Sequence, residues 1–234
     1  MLLTRPSQGT PHDGVAHRPP EGSMPTPLPT RFFQRHTVDV ARDLLGCEVW
    51  RRDTRSIVRR GRIVETEAYR GFDDRACHGW RGETPRLRSM FGPGGRAFVY
   101  LTYGIHHMFN VVTESAGYPS GVLIRAVEPL ANVEGNTRGP GLLTRALNID
   151  RRHDGSHLRD GPLRVLAGTP RPEERIERSS RVGIAGAGPE AAAREWRFYL
   201  AGNAYLSHGR PTSPIQARAV VAARAARRTK LRRT

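Results

Sequence analysis

Between Arg62 and Arg125 the chain gathers Glu65, Glu67, Tyr69, His78, Tyr100, Tyr103, Asn110 and Arg125, while its surroundings are mostly Arg, Ala, Gly and Pro. The first three fall in the run Arg62-Ile63-Val64-Glu65-Thr66-Glu67-Ala68-Tyr69. Read as a strand, its period of two places Ile63, Glu65, Glu67 and Tyr69 on one face and Val64, Thr66 and Ala68 on the other. Two carboxylates beside a tyrosine on an apolar-flanked strand are costly to bury without partners. The run is therefore either a solvated sheet edge or a built site, in which either carboxylate could take a proton. His78 and Tyr100 add rings able to stack on a planar ligand or to attract a cation by about 0.5–2 kcal/mol. Taken singly, each is also an ordinary core or surface residue.

The elements that must position these groups read as strands and short helices. Thr37 can cap a helix over Val38 to Leu45, with Asp39 in its first turn and Gly46 as its stop. Residues 47–51 read as a strand, and Ser56 to Tyr69 as a longer one. Residues 97–101 and 110–113 form a hairpin-like pair, with Tyr103-Gly104-Ile105-His106 in the turn between them. Gly121 to Ala126 is a further short strand. Leu142 to Leu147 is a short helix after Gly139-Pro140-Gly141, and residues 163–166 and 196–200 complete the sheet. Strands and helices mixed without βαβ regularity, and without an internal repeat, make the chain α+β.

Composition bounds the rest. The 234 residues carry a formal charge of +16 and a pI near 11.3, which points to a polyanionic partner, nucleic acid before anionic membrane. No run of 18 apolar residues and no secretory signal is present, so cytoplasmic residence is expected, at the nucleoid if the source is bacterial. Two cysteines, Cys47 and Cys77, are too few for a disulfide scaffold, and the nine histidines form no metal-ligand spacing. No metal or organic cofactor is expected. The single lysine, Lys230, stands near the C-terminus, so no lysine amine is available as a nucleophile in the folded part. Residues 1–30, rich in Pro, Gly, Ser and Thr, read as a disordered tail, with Met24 an alternative start. Residues 211–234 read as a basic flexible tail. From Ile215 onward it holds seven cations and no acid. A 31–210 domain remains.

The run 62–69, then His78, Tyr100-Leu101-Thr102-Tyr103-Gly104 and Asn110, resembles the alkyladenine (3-methyladenine) DNA glycosylase family. The match extends through Thr84-Pro85-Arg86, Gly139-Pro140-Gly141, Arg181-Val182-Gly183-Ile184 and Arg197-Phe198-Tyr199, covering about residues 32–206. The two tails depart from the pattern, as does a slightly longer segment from Val111 to Gly121. The resemblance implies one domain with a curved antiparallel sheet, peripheral helices and a protruding hairpin. It makes Glu67 the catalytic base that activates water, with Glu65 the alternative. Tyr69 and His78 would sandwich an extruded base, Tyr100 would close that pocket, and Asn110 would form its floor and reject guanine. Tyr103 would wedge into the stack, and Arg125 would contact the DNA backbone near the pocket.

On that reading a monomer flips alkylated or deaminated purines out of duplex DNA and hydrolyses the N-glycosidic bond, leaving an abasic site. Three other readings share parts of the pattern. A non-catalytic nucleic-acid-binding protein on the same fold would not need Glu67 and three pocket aromatics together. An RNA-binding or formyltransferase-type accessory domain would lack the wedge tyrosine. A helix-hairpin-helix glycosylase would be helical, with a catalytic Asp.

Overall fold

The computed structural model describes residues 25–231. In chain order its elements are α1 (Thr30–Phe33), α2 (Thr37–Asp43), β1 (Glu48–Arg52), β2 (Val58–Arg70), β3 (Ala97–Thr102), β4 (His106–Val112), β5 (Ser120–Ala131), α3 (Pro140–Ala146), β6 (Leu163–Leu166), β7 (Ile176–Ser179), α4 (Pro189–Ala193), β8 (Arg197–Leu200) and α5 (Pro214–Leu231). Short 3-10 segments at His78–Arg81, Pro85–Phe91, Arg151–His153 and Ala185–Ala187 fill the connections. The α+β class expected from the sequence is what forms: one antiparallel sheet with helices packed around it.

β2 is the spine of that sheet. One edge pairs with β5 along almost its whole length. The other edge is shared, with β1 pairing from Val58 to Arg62 and β8 from Glu65 to Glu67. Beyond these, β4 and β3 extend the β5 side, β6 lies outside β1, and β7 lies outside β8. The β2–β5 register shifts twice around Glu65: Ile63 pairs with Val127, Glu65 with Ala126, and Thr66 with Ile124. Val64 and Arg125 are each the extra residue of a bulge, which bends the strands and re-aims side chains. The bulge also interrupts the expected alternation, because neighbouring Ile63 and Val64 both enter the core.

The core lies between the sheet and α2. Val40, Ala41, Leu44 and Leu45 pack with Val64, Ala68, Ile124 and Val127. Thr66, on the same side, donates its hydroxyl to Ala41 O at 2.7 Å, so the polar group in this layer is satisfied. Thr37 is the first helical residue of α2 rather than its cap; its backbone N–H bonds Glu114 Oε1 at 3.1 Å and its hydroxyl pairs with Thr113 at 3.0 Å. Cys47 and Cys77 are buried free thiols, and burial pushes each up to about 12.

Two tail expectations need correction. Residues 25–30 are ordered: Pro27 bridges to Leu166, the Leu28 N–H donates to Val165 O at 2.9 Å, and Leu28 is buried. Met24 lies outside the described residues. At the other end, Pro214–Leu231 of the basic segment form a helix, not a flexible coil. Ser213 opens α5 with reciprocal bonds to Gln216, Gln216 N to Ser213 Oγ at 3.2 Å and Ser213 N to Gln216 Oε1 at 3.0 Å. With Pro214 at the first helical position this is a capping box. Ala217 is fully buried where the helix packs on α4 and the 185–187 segment.

Candidate active site

The bulge brings two buried carboxylates and two arginines together. Glu65 and Glu67 are both inaccessible to solvent. Glu65 accepts four hydrogen bonds: from Arg125 Nε (2.8 Å), Arg197 Nε (2.8 Å), Ser207 Oγ (2.8 Å) and Ser207 N (2.7 Å). Burial alone would raise its pKa, but the charges of Arg125 and Arg197 and the Ser207 N–H hold the carboxyl below its ordinary range. Glu67 accepts three: from the Tyr69 hydroxyl (2.7 Å), Arg125 Nη1 (3.3 Å) and Val182 N (2.7 Å).

A carboxylate offers about four lone-pair sites. Glu65 takes three of its bonds on Oε1 and one on Oε2, and Glu67 takes two on Oε2 and one on Oε1, so among the described residues each carboxylate has one oxygen with a single partner. Glu67 is sealed behind its own donors, and Tyr69, Arg125 and Val182 line the cavity in front of it. Arg125 stays a cation: burial lowers its pKa, but Glu67 and Glu65 more than offset that.

The cavity holds about 570 Å³, within the range of small-molecule sites. Tyr69, His78, Tyr100 and Asn110 all line it, together with Phe98 and Met90. The His78 and Tyr100 rings lie 4.6 Å apart, centroid to centroid, and Tyr100 stacks on Phe98 at 5.2 Å. Desolvation at the cavity wall, with help from Arg86, pushes the His78 pKa below its ordinary value, although the residue remains open to solvent. Burial and then Glu67 raise Tyr69 well above an ordinary phenol, leaving it a proton donor to that carboxylate. Asn110 is buried, its amide donating to Phe98 O at 3.2 Å.

Behind Tyr69 stands Arg181, whose guanidinium carbon lies 4.8 Å from the ring centroid. Arg181 is fully buried and bonded to both oxygens of Asp74 at 2.6 and 2.8 Å. It also donates to Ala68 O at 2.8 Å. This neutral pair fixes one face of Tyr69 and leaves the cavity side for a ligand.

Tyr103 lines the rim and is 91% exposed. β3 and β4 pair in register from Ala97–Val111 to Thr102–His106. The turn between them is closed by Ile105 N to Thr102 O at 3.2 Å. Tyr103 and Gly104 both have positive φ, 50° and 73°, the pattern of a type I′ turn. Glycine adopts this readily, whereas tyrosine does so at a cost of about 1–2 kcal/mol.

Arg125 lines the cavity but is buried, with its guanidinium committed to Glu65, Glu67 and Ser207. The bulge turns it inward, because two buried carboxylates need a counter-charge more than a solvated phosphate contact would repay. Ser207 and Asp74 carry no local signal in the sequence. Arg181, Val182 and Arg197 belong to matched motifs, but their bonds could not be read from them.

The chain matches the sequence model of the methylpurine-DNA glycosylase family over residues 31–204. Similar proteins include one from Anaeromyxobacter dehalogenans (strain 2CP-C), 50% identical over 184 residues, covering 79% of this chain and 88% of its own. One from Myxococcus xanthus (strain DK1622) is 45% identical over 188 residues, covering 79% and 95%. One from Methanoculleus marisnigri (strain ATCC 35101 / DSM 1498 / JR1) is 44% identical over 196 residues, covering 77% and 98%. All three are provisionally named 3-methyladenine DNA glycosylases.

Proposed function

The chain belongs to the methylpurine-DNA glycosylase family, and from that premise we propose that it excises alkylated or deaminated purines from duplex DNA, with Glu67 as the base. The observation that carries the assignment is where the donors to each carboxylate stand. All three residues bonded to Glu67, namely Tyr69, Arg125 and Val182, line the aromatic cavity, whereas of those bonded to Glu65 only Arg125 does.

The reaction is one step in covalent terms. Tyr103 fills the gap as the nucleotide leaves the stack, and the base enters among Tyr69, His78 and Tyr100. A cationic base, alkylated at N3 or N7, gains the ring attraction that an ordinary purine lacks. Water donates a proton to Glu67 Oε1 as its oxygen bonds to C1′ of the sugar. The C1′–N bond breaks, and the base departs with that electron pair. Arg125 and Val182 N hold the carboxylate in place through the transfer, and the strand remains unbroken at an abasic site. A neutral lesion such as hypoxanthine needs its leaving ring protonated or hydrogen-bonded.

The test is single-turnover release from duplexes carrying 7-methylguanine or hypoxanthine, read by alkaline cleavage. Glu67→Gln is expected to abolish release by at least two orders of magnitude while still binding lesion DNA. Near-normal release by that variant would return the role to another group.

A further inference from the structure

A second recess adjoins the lesion cavity. It holds about 710 Å³ and is lined by Arg75, Trp80, Arg81, the 186–189 turn and the α5 residues Val221, Arg224 and Ala225. Arg75, Gly186, Ala187 and Arg224 line both spaces, so the two share a wall to which Arg224 belongs. This wall is built by a helix that starts ten residues beyond the family match, which ends at residue 204. It is nevertheless tied to the catalytic wall. Val182 bridges to Pro211, Thr212 N donates to Arg181 O at 2.9 Å, and Ile184 N donates to Thr212 Oγ1 at 3.2 Å.

The arginines of this recess are unlike those bound to the carboxylates of the sheet. Arg62, Arg125, Arg181 and Arg197 all pair with buried or half-buried carboxylates. Arg75, Arg81 and Arg224 have no ion pair among the described residues. Glu190 borders only a smaller recess beside Arg75. Arg75 and Arg81 instead lean on Trp80, with guanidinium carbons 5.7 and 4.6 Å from its ring centroid. Arg224 lies on the Gly186 backbone so closely that a Cβ there would meet its Nη1 at 2.5 Å. Three exposed cations thus gather on one wall beside the lesion cavity, with no ion pair among the described residues.

We propose that this recess holds the phosphodiester backbone of the DNA strand next to the flipped nucleotide, with Arg224, Arg75 and Arg81 as its phosphate contacts. The inference rests on the glycosylase reading and extends it to α5, a helix outside the family match. The wall shared with the lesion cavity makes the strand that carries the lesion the occupant proposed. Guanidinium groups already packed on Trp80 and on Gly186 lose less freedom on meeting phosphate than solvated ones would.

The experiment measures the binding of full-length wild type, Arg224→Ala and Arg75→Ala/Arg81→Ala/Arg224→Ala to lesion duplex across a salt series. Each lost phosphate contact should flatten the slope of log K against log salt by about 0.9. Duplexes trimmed on one side of the lesion or the other supply the location. Trimming one side should cost wild type affinity and cost the triple variant much less, while trimming the other side should cost both equally. Gly186→Ala keeps every charge but displaces Arg224, and should also weaken binding. Unchanged slopes, or trimming costs that are the same for both proteins on both sides, overturn the assignment. Wild-type release of 7-methylguanine is the internal control. Release with unchanged slopes overturns the recess assignment alone, whereas absence of release overturns the glycosylase reading and the recess with it.

Discussion

Arg125 reaches Glu67 because it is the residue that β5 cannot pair: its neighbours Ile124 and Ala126 sit opposite Thr66 and Glu65, and it is left over. Its Nη1 lies 3.3 Å from Glu67 and its Nε 2.8 Å from Glu65. One guanidinium therefore couples the two carboxylates, and the same bulge that interrupts the sheet supplies the charge that lets both be buried.

Glu65 on this view is structural, and its loss should be felt in stability. Glu65→Gln leaves Arg125 and Arg197 short of a buried counter-charge, which costs about 3–5 kcal/mol. The folded-state pKa of Glu65 is held below the ordinary 4.5. The unfolded chain thus takes up the proton first as pH falls. The stability Glu65 contributes is complete above about pH 4.5 and is lost as pH drops through the depressed folded value. Urea titrations at pH 7 and at pH 3–4 should show the gap between wild type and Glu65→Gln closing in acid. A gap that does not depend on pH would mean the carboxylate charge is not what the arginines require.

Tyr103 carries backbone strain that a smaller residue would not. Tyr103→Asn, which tolerates positive φ, should raise stability by about 0.5–1 kcal/mol. It should also weaken binding to a duplex with a stable abasic analogue by about 1–3 kcal/mol, with much less effect on undamaged duplex. Equal weakening on both duplexes would place the tyrosine outside the stack.

His78 should make lesion preference depend on pH. Desolvation at the cavity wall and Arg86 lower its pKa from 6.5, so its imidazole is largely neutral at neutral pH. Acidification well below 6.5 places a positive charge against the base pocket. Affinity for a cationic methylpurine should then fall more than affinity for neutral hypoxanthine, and His78→Phe should abolish the difference. Parallel pH profiles for the two lesions in wild type would remove His78 from the pocket wall.

Base release should leave no covalent trace. Strand-cutting glycosylases commonly attack C1′ with an amine that borohydride traps, and the chain's one lysine, Lys230, is in the last turn of α5. Borohydride treatment during turnover should yield no protein–DNA adduct, and the strand should break only with heat or alkali. An adduct that disappears in Lys230→Arg would replace the water mechanism.

The parts of the site legible in the sequence are those held by local periodicity. Glu67 and Tyr69 are two apart on β2, and the Tyr103-Gly104 pair names its own turn. Arg125 is illegible as a buried group because a bulge removes it from the two-residue frame in which strands are read. Ser207, which gives Glu65 two of its four hydrogen bonds, arrives from 142 residues away, and Asp74 meets Arg181 across 107. The α5 helix did leave a signal in Ser213-Pro214-Ile215-Gln216, but its docking face is alanine-sized, and a run of arginine and alanine reads more readily as solvated tail. Leu28 likewise looks like part of a proline-rich tail until β6 supplies its partner.

The two thiols have a meaning in the setting this protein would work in. Electrophiles that methylate purines also methylate exposed thiolates. With pKa values near 12, about one in 10⁵ of the Cys47 and Cys77 side chains is thiolate at neutral pH, and both are shielded by the fold. Arginine, which supplies nearly all the positive charge, remains protonated and is a poor nucleophile. The protein can stay intact in the same chemical weather that creates its substrate.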